Sequence, residues 1–165
     1  MDTHSSNQAP AGNSETQRHG AAMTTIRHAV AVYERRSPPT LAGEVWLDSS
    51  GLGPFETVAA VEPRGEAGLT SPMELLAAAY ASCLDLTLAL LLDRCGHPCE
   101  WLSVTADVSL DIAGHEICGL HSSVRATVPG MTLDELTLIA ERAKDMCPVG
   151  RALTGAEITI DVEVR

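Results

Sequence analysis

The sequence predicts an α+β fold with mostly antiparallel pairing, built around one long central helix. Segments in which apolar residues alternate with polar ones recur along the chain, the mark of half-buried strands. Two stretches carry helix-capping signals ahead of apolar runs. The resulting order is three strands, a long helix, two strands, a helix and a strand, a pattern of segregated rather than strictly alternating elements.

With 165 residues the chain is long enough for one ordinary domain with a sizeable core. Residues 1–23 are rich in Ser, Asn, Gln, Gly and Ala, with little to bury, and predict a disordered tail ahead of a domain at 24–165. The tail has no apolar segment of the signal-peptide kind, and His4 and His19 read there as solvated side chains.

The first strand is expected over Thr24–Tyr33, where Ile26, His28, Val30 and Val32 alternate. Pro38-Pro39 breaks the chain into a turn. Strands follow at Gly43–Asp48 and Phe55–Val61 around the turn SSGLGP, then a loop, EPRGEAGLT. The strongest element is a helix over Pro72–Cys95. Ser71 caps it, Pro72 suits its first position, Glu74 completes a capping box and Gly96 stops it. Apolar residues lie all round it, so it is expected to be the buried central helix. Its apolar run, Leu75 to Leu92, contains Asp85, a carboxylate that is costly in lipid, so a core helix is the better reading than a membrane span. A hairpin is expected from Trp101–Ile112 and Ile117–Val128, turning at His115-Glu116. A second helix over Leu133–Met146 has a capping box in Thr132 and Glu135, and Pro148 stops it. Ile158–Val164 closes the chain as a strand.

Charge narrows the function classes. Against 11 basic residues stand 22 acidic ones, a net −11 that repels a phosphate backbone or an anionic membrane. Only 3% of residues are aromatic, so Leu, Val, Ile and Ala must build the core. Such a core suits a subunit that completes its burial against a partner. Five cysteines, an odd number, argue against a secreted disulfide scaffold.

Those cysteines carry whatever chemistry there is, since no GxGxxG, P-loop, GxSxG or C-x-x-C occurs. Cys83 lies mid-helix among small residues, where a lone cysteine most often serves as a compact apolar side chain. Cys147 precedes Pro148, which suits the first position of a short helix through Leu153. Two readings of it stand level: a thiolate favoured by free helix-start amides, or a small residue in a tight bend. Cys95 and Cys99 flank Gly96-His97-Pro98, a faint metal-ligand pattern without a second pair. Strand alternation turns Cys118 away from the face of His121, and it reads as core packing.

Two motifs together carry a resemblance. The segments TSPMELLAAAYASC (70–83) and AKDMCPVGRALTGAEITIDVEV (143–164) resemble the OsmC/Ohr family, with support from TADVSLD, HSSVRATVPGMT and the element order. The resemblance covers residues 24–165. It implies an intertwined homodimer with two interfacial sites, each using two cysteines of one chain. By it Cys83 is the peroxidatic thiolate and Cys147 the resolving thiol, close enough to bridge although 64 positions apart (83 to 147). The family's arginine, which supports the thiolate and orients the peroxide, falls on Arg64 by the OsmC branch, with Arg35 or Arg36 as the Ohr-branch rivals. Two positions depart from the pattern. Met73 stands where the family has a glutamate, with Glu74 turned about 100° away and Glu66 or Asp85 as possible substitutes. Gly150 stands where the family usually has serine.

The resemblance implies a cytoplasmic thiol-dependent peroxidase that needs no metal or organic cofactor. Its substrates would be hydroperoxides, organic ones favoured by the Leu-rich surroundings, and its reductant a small or lipoyl-bound dithiol. The rival reading is a non-catalytic dimeric module that binds an apolar ligand or senses redox state, favoured by the missing glutamate. A metal-binding protein using Cys95, Cys99 and nearby histidines is a third.

Overall fold

The computed structural model describes residues 16–19, 22–25, 27–33, 42–58 and 69–165. They divide into two compact units, residues 1–72 and 73–165.

In the first unit, β1 (Thr16–His19) pairs antiparallel with β2 (Ala22–Thr25), across the boundary between tail and domain drawn from the sequence. A second sheet has the order β3 (Val30–Tyr33), β4 (Ala42–Leu47) and β5 (Leu52–Val58), all antiparallel. The single strand expected over Thr24–Tyr33 is therefore broken. The His28 backbone explains the break: its N–H donates to Ser49 Oγ at 2.7 Å and its carbonyl accepts from the Ser49 N–H at 3.2 Å. Those groups serve the β4–β5 turn instead of a continuing ladder. β5 also starts earlier than expected, because a bulge after Val45 lets Leu52 pair with Leu47. Gly53 makes the bulge possible: at φ +117°, a Cβ there would lie 2.8 Å from the Val45 carbonyl oxygen. Thr70 bridges to β5, its N–H donating to the Glu56 carbonyl and its carbonyl accepting from the Val58 N–H, both at 2.9 Å.

The second unit is organised by α1 (Pro72–Arg94), which starts on the expected proline. Its C-terminus is closed by Gly96 at φ +80°, with the His97 N–H reaching back to the Leu92 carbonyl at 3.0 Å. That six-to-one bond over a left-handed residue is a Schellman closure. By length and composition α1 would pass for a membrane-crossing helix, yet Tyr80, Leu84, Leu88, Leu91 and Leu92 form a stripe at helical spacing in the middle of the core. Within the single chain the helix is buried on that stripe, while Leu86 is 67% and Leu90 48% exposed.

Against that stripe pack the sheet and the second helix. β6 (Trp101–Asp111) and β7 (Glu116–Thr127) form the expected antiparallel hairpin. Along β7, Leu120, Ser122, Val124 and Ala126 alternate into the core. α2 (Leu133–Met146) contributes Leu136, Ala140 and Ala143, and its capping box joins Thr132 and Glu135 as expected. After α3 (Pro148–Ala152), β8 (Glu157–Val164) lies beside β7 and parallel to it, from Gly119↔Glu157 to Ala126↔Val164. The pairing is parallel because α2 and α3 form a crossover that returns the chain in its original direction.

Candidate active site

Two turns of chain bring the candidate thiols together. α1 fixes Cys83 by helix packing, half-buried beside the apolar stripe, and Thr87 Oγ1 donates to the Cys83 carbonyl at 2.7 Å. Cys147 sits at the junction of α2 and α3. Its N–H completes α2 by donating to the Ala143 carbonyl at 2.9 Å, while its own φ and ψ (−62°, 117°) are extended, as the following proline demands. The Cys147 side chain is fully buried, with Cys83 near enough to act on its thiol. Both thiols are free.

The electrostatics of Cys147 run against the thiolate reading. Burial pushes its thiol up, and Cys83 pushes the same way, by accepting a hydrogen bond from the protonated form and by its charge. The amides of Gly150 and Val149 pull down, as a helix start should, but they do not win. No side-chain cap bond forms at Cys147. A single short turn supplies too little field to offset removal from water, so Cys147 is held as a thiol.

Tyr80, one turn before Cys83 on α1, completes the cluster and went unassigned in the sequence. It is fully buried. The departure at Gly150 finds its reason here, since a Cβ at that position would stand 3.0 Å from Tyr80 Cε2. Burial raises the phenol pKa; Ser122 opposes this, and Cys147, Cys83 and Glu141 add to it. Ser122 Oγ itself donates to the Thr159 carbonyl at 3.1 Å. Although Ser122 lies close, the Tyr80 hydroxyl has no hydrogen-bond partner of proper geometry among the described residues. Glu141 is ion-paired with Lys144 at 2.6 Å.

Arg64, Arg35, Arg36 and Glu66 lie outside the described residues. The Asp85 carboxyl is pushed up by burial. Of the other cysteines, Cys95 is exposed and Cys99 half-buried, and among the described residues no three His, Cys, Asp or Glu side chains gather as a metal site would need. Core packing proves wrong for Cys118, which is exposed. A bulge is the reason: Ser109 pairs with Gly119 and Leu110 with Ile117, so Cys118 is left out of the register, Ile117 packs against the core in its place, and the Cys118 thiol donates to the Ser109 carbonyl at 3.4 Å.

Comparison with known proteins gives this arrangement a context. Residues 65–163 match a family model described as OsmC-like protein. The chain is 39% identical over 103 residues to peroxiredoxin OsmC of Escherichia coli (strain K12), covering 61% of this chain and 71% of that one. Among solved structures, it is similar to an organic hydroperoxide resistance protein from Elizabethkingia anophelis, with TM-score 0.63 and 28% identity over 85% of this chain and 96% of the other. An OsmC-like protein from Vibrio cholerae shares the fold, with TM-score 0.70 at 15% identity, over 85% of this chain and 100% of the other.

Proposed function

The chain belongs to the OsmC family, and on that footing we propose that it is a thiol-dependent peroxidase working through Cys83 and Cys147. The observation that supports the reading is that Cys83, 64 positions away in sequence (83 to 147), lies near enough to Cys147 to raise its thiol pKa. Cys83 is the more accessible of the two and Cys147 is held protonated, which suits the first for attack on a peroxide and the second for resolution. Cys83 thiolate takes the distal oxygen of the hydroperoxide and becomes a sulfenic acid. Cys147 then condenses with it, forming the disulfide and releasing water. A small or lipoyl-bound dithiol returns the pair to thiols by exchange. The relatives named peroxiredoxin and hydroperoxide resistance protein support this chemistry. The leucines of α1 around Cys83 favour organic hydroperoxides over hydrogen peroxide. A cytoplasmic setting, where thiols are kept reduced, suits the cycle.

Arg64 is proposed as the cation beside Cys83, where its guanidinium would stabilise the thiolate and hold the peroxide. Arg64→Ala should slow peroxide reduction strongly and Arg64→Lys restore only part of it. A wild-type rate in the alanine variant would move the assignment to Arg35 or Arg36.

The test of the whole reading is a thiol titration before and after one equivalent of cumene hydroperoxide. Two thiols per chain should be lost from the wild type, and none from Cys83→Ser. In Cys147→Ser one should be lost, with the sulfenic acid trapped by a cyclic diketone. A wild type that loses no thiol would leave the non-catalytic module, which Met73 in the glutamate position favours.

A further inference from the structure

We propose that the Tyr80 hydroxyl is the proton donor to the leaving oxygen of the hydroperoxide, set between Cys83 and Cys147. The inference rests on the peroxidase reading and adds a catalytic residue to it. Three observations place the phenol there. It lies three residues before Cys83 on α1, the spacing that puts side chains on one helix face. Its ring abuts Gly150, which lies three residues after Cys147 in the turn that Cys147 opens, and the Arg151 N–H donates to the Cys147 carbonyl at 3.0 Å within that turn. Its hydroxyl is fully buried, close to Ser122 but without a partner of proper hydrogen-bond geometry among the described residues.

That last feature is the informative one. A buried hydroxyl left unpaired destabilises a fold, and phenylalanine would fill the same ring space without that cost. A polar group kept at such a position beside two thiols has a use in the reaction rather than in packing. Burial holds the phenol in its protonated form against the opposing pull of Ser122, and the nearby Cys147, Cys83 and Glu141 act in the same direction as burial. Tyr80 is therefore a donor at neutral pH, in surroundings that water does not reach.

The step balances as follows. The electron pair of the Cys83 thiolate forms the S–O bond, the O–O bond breaks, and its electrons leave on the alkoxide. Tyr80 O–H supplies the alkoxide's proton, giving the alcohol and a phenolate. The phenolate recovers a proton from the Cys147 thiol, which becomes the nucleophile that resolution requires. Cys147 sulfur attacks the Cys83 sulfenic acid, the S–S bond forms, and hydroxide leaves. The hydroxide takes up the proton that Cys83 released when it ionised. One phenol thus couples the burial that holds Cys147 protonated to its activation at the moment a sulfenic acid exists.

Leaving-group chemistry tests this. An alkyl hydroperoxide expels a strongly basic alkoxide and needs a donor, whereas a peracid expels a weakly basic carboxylate and does not. Rapid-mixing rates of Cys83 oxidation by cumene hydroperoxide and by peracetic acid would be compared in the wild type and Tyr80→Phe. Loss of a general acid should slow the cumene hydroperoxide reaction about 100-fold or more and leave the peracetic acid reaction within a few-fold of wild type. The melting temperature of Tyr80→Phe should equal or exceed that of the wild type, because an unpaired hydroxyl is removed. Equal losses with both oxidants, unchanged rates with both, or a lowered melting temperature would each overturn the proposal. A wild type inert to both oxidants would instead sink the peroxidase reading on which it stands.

Discussion

At Gly150 two opposing terms meet. Adding a methyl to a helical glycine ordinarily stabilises by about 1 kcal/mol, but here the new Cβ would stand 3.0 Å from a fully buried ring. Overpacking of that kind costs about 1–3 kcal/mol, so Gly150→Ala should lower stability in urea denaturation. A stabilised variant would show that the Tyr80 ring moves easily. Asp85 offers a test by pH. Burial raises its folded-state pKa, so it favours the folded state most when protonated, below its unfolded pKa, and that contribution is lost as pH rises through the folded value. Asp85→Asn should therefore raise the melting temperature at pH 7 and lose that advantage in acid. At this scale the sequence was legible where a motif tied residues together. Cys83 and Cys147 stood out only as a pair, because each alone passes for packing. Tyr80 was not legible, since a tyrosine in an apolar helix reads as core and its spacing from Cys83 was the sole hint.

The helices owe their ends to local chemistry, which is why the sequence located them well. Gly96 at φ +80° has nothing within 4 Å of its would-be Cβ, so Gly96→Ala isolates the backbone strain of the α1 closure. About 1–2 kcal/mol should be lost, read as a shift in the urea midpoint. At the start of α2, Thr132 Oγ1 accepts from the Glu135 N–H at 3.3 Å while Glu135 accepts from the Thr132 N–H at 2.9 Å. Thr132→Ala should cost about 1 kcal/mol. The Thr132 backbone and hydroxyl bonds hold the Glu135 carboxyl below its usual pKa, so the box contributes above the unfolded value and fades as pH falls through the folded one. Strands were harder to bound. Their ends depend on distant partners such as the Ser49 groups that capture His28, and no window around Thr24–Tyr33 contains them. The parallel course of β8 was likewise invisible, because alternation reports a face and not a direction.

For the molecule as a whole, Leu86 and Leu90 lie four residues apart on α1 and are both exposed. An apolar pair on one helix face suits a second copy of the chain, and we expect a homodimer by sedimentation at micromolar concentration. A charge on each, as in Leu86→Glu with Leu90→Glu, should then give monomers, whereas a wild-type monomer would refute the expectation. Cys147 has 0% exposure and Cys83 some, and that difference would give the proposed cycle a direction on its return. Were the disulfide formed as proposed, an incoming thiol would approach from the more accessible Cys83 side, and Cys147 would be the sulfur displaced. The burial that keeps Cys147 protonated also makes it a reluctant leaving group. On the proposed reading oxidant and reductant would share one doorway, and regeneration rather than peroxide attack would be the slow half of turnover. Mass spectrometry of the oxidised protein quenched with a monothiol should find the adduct on Cys83, and a dithiol, able to expel itself by ring closure, should restore the enzyme far faster than a monothiol.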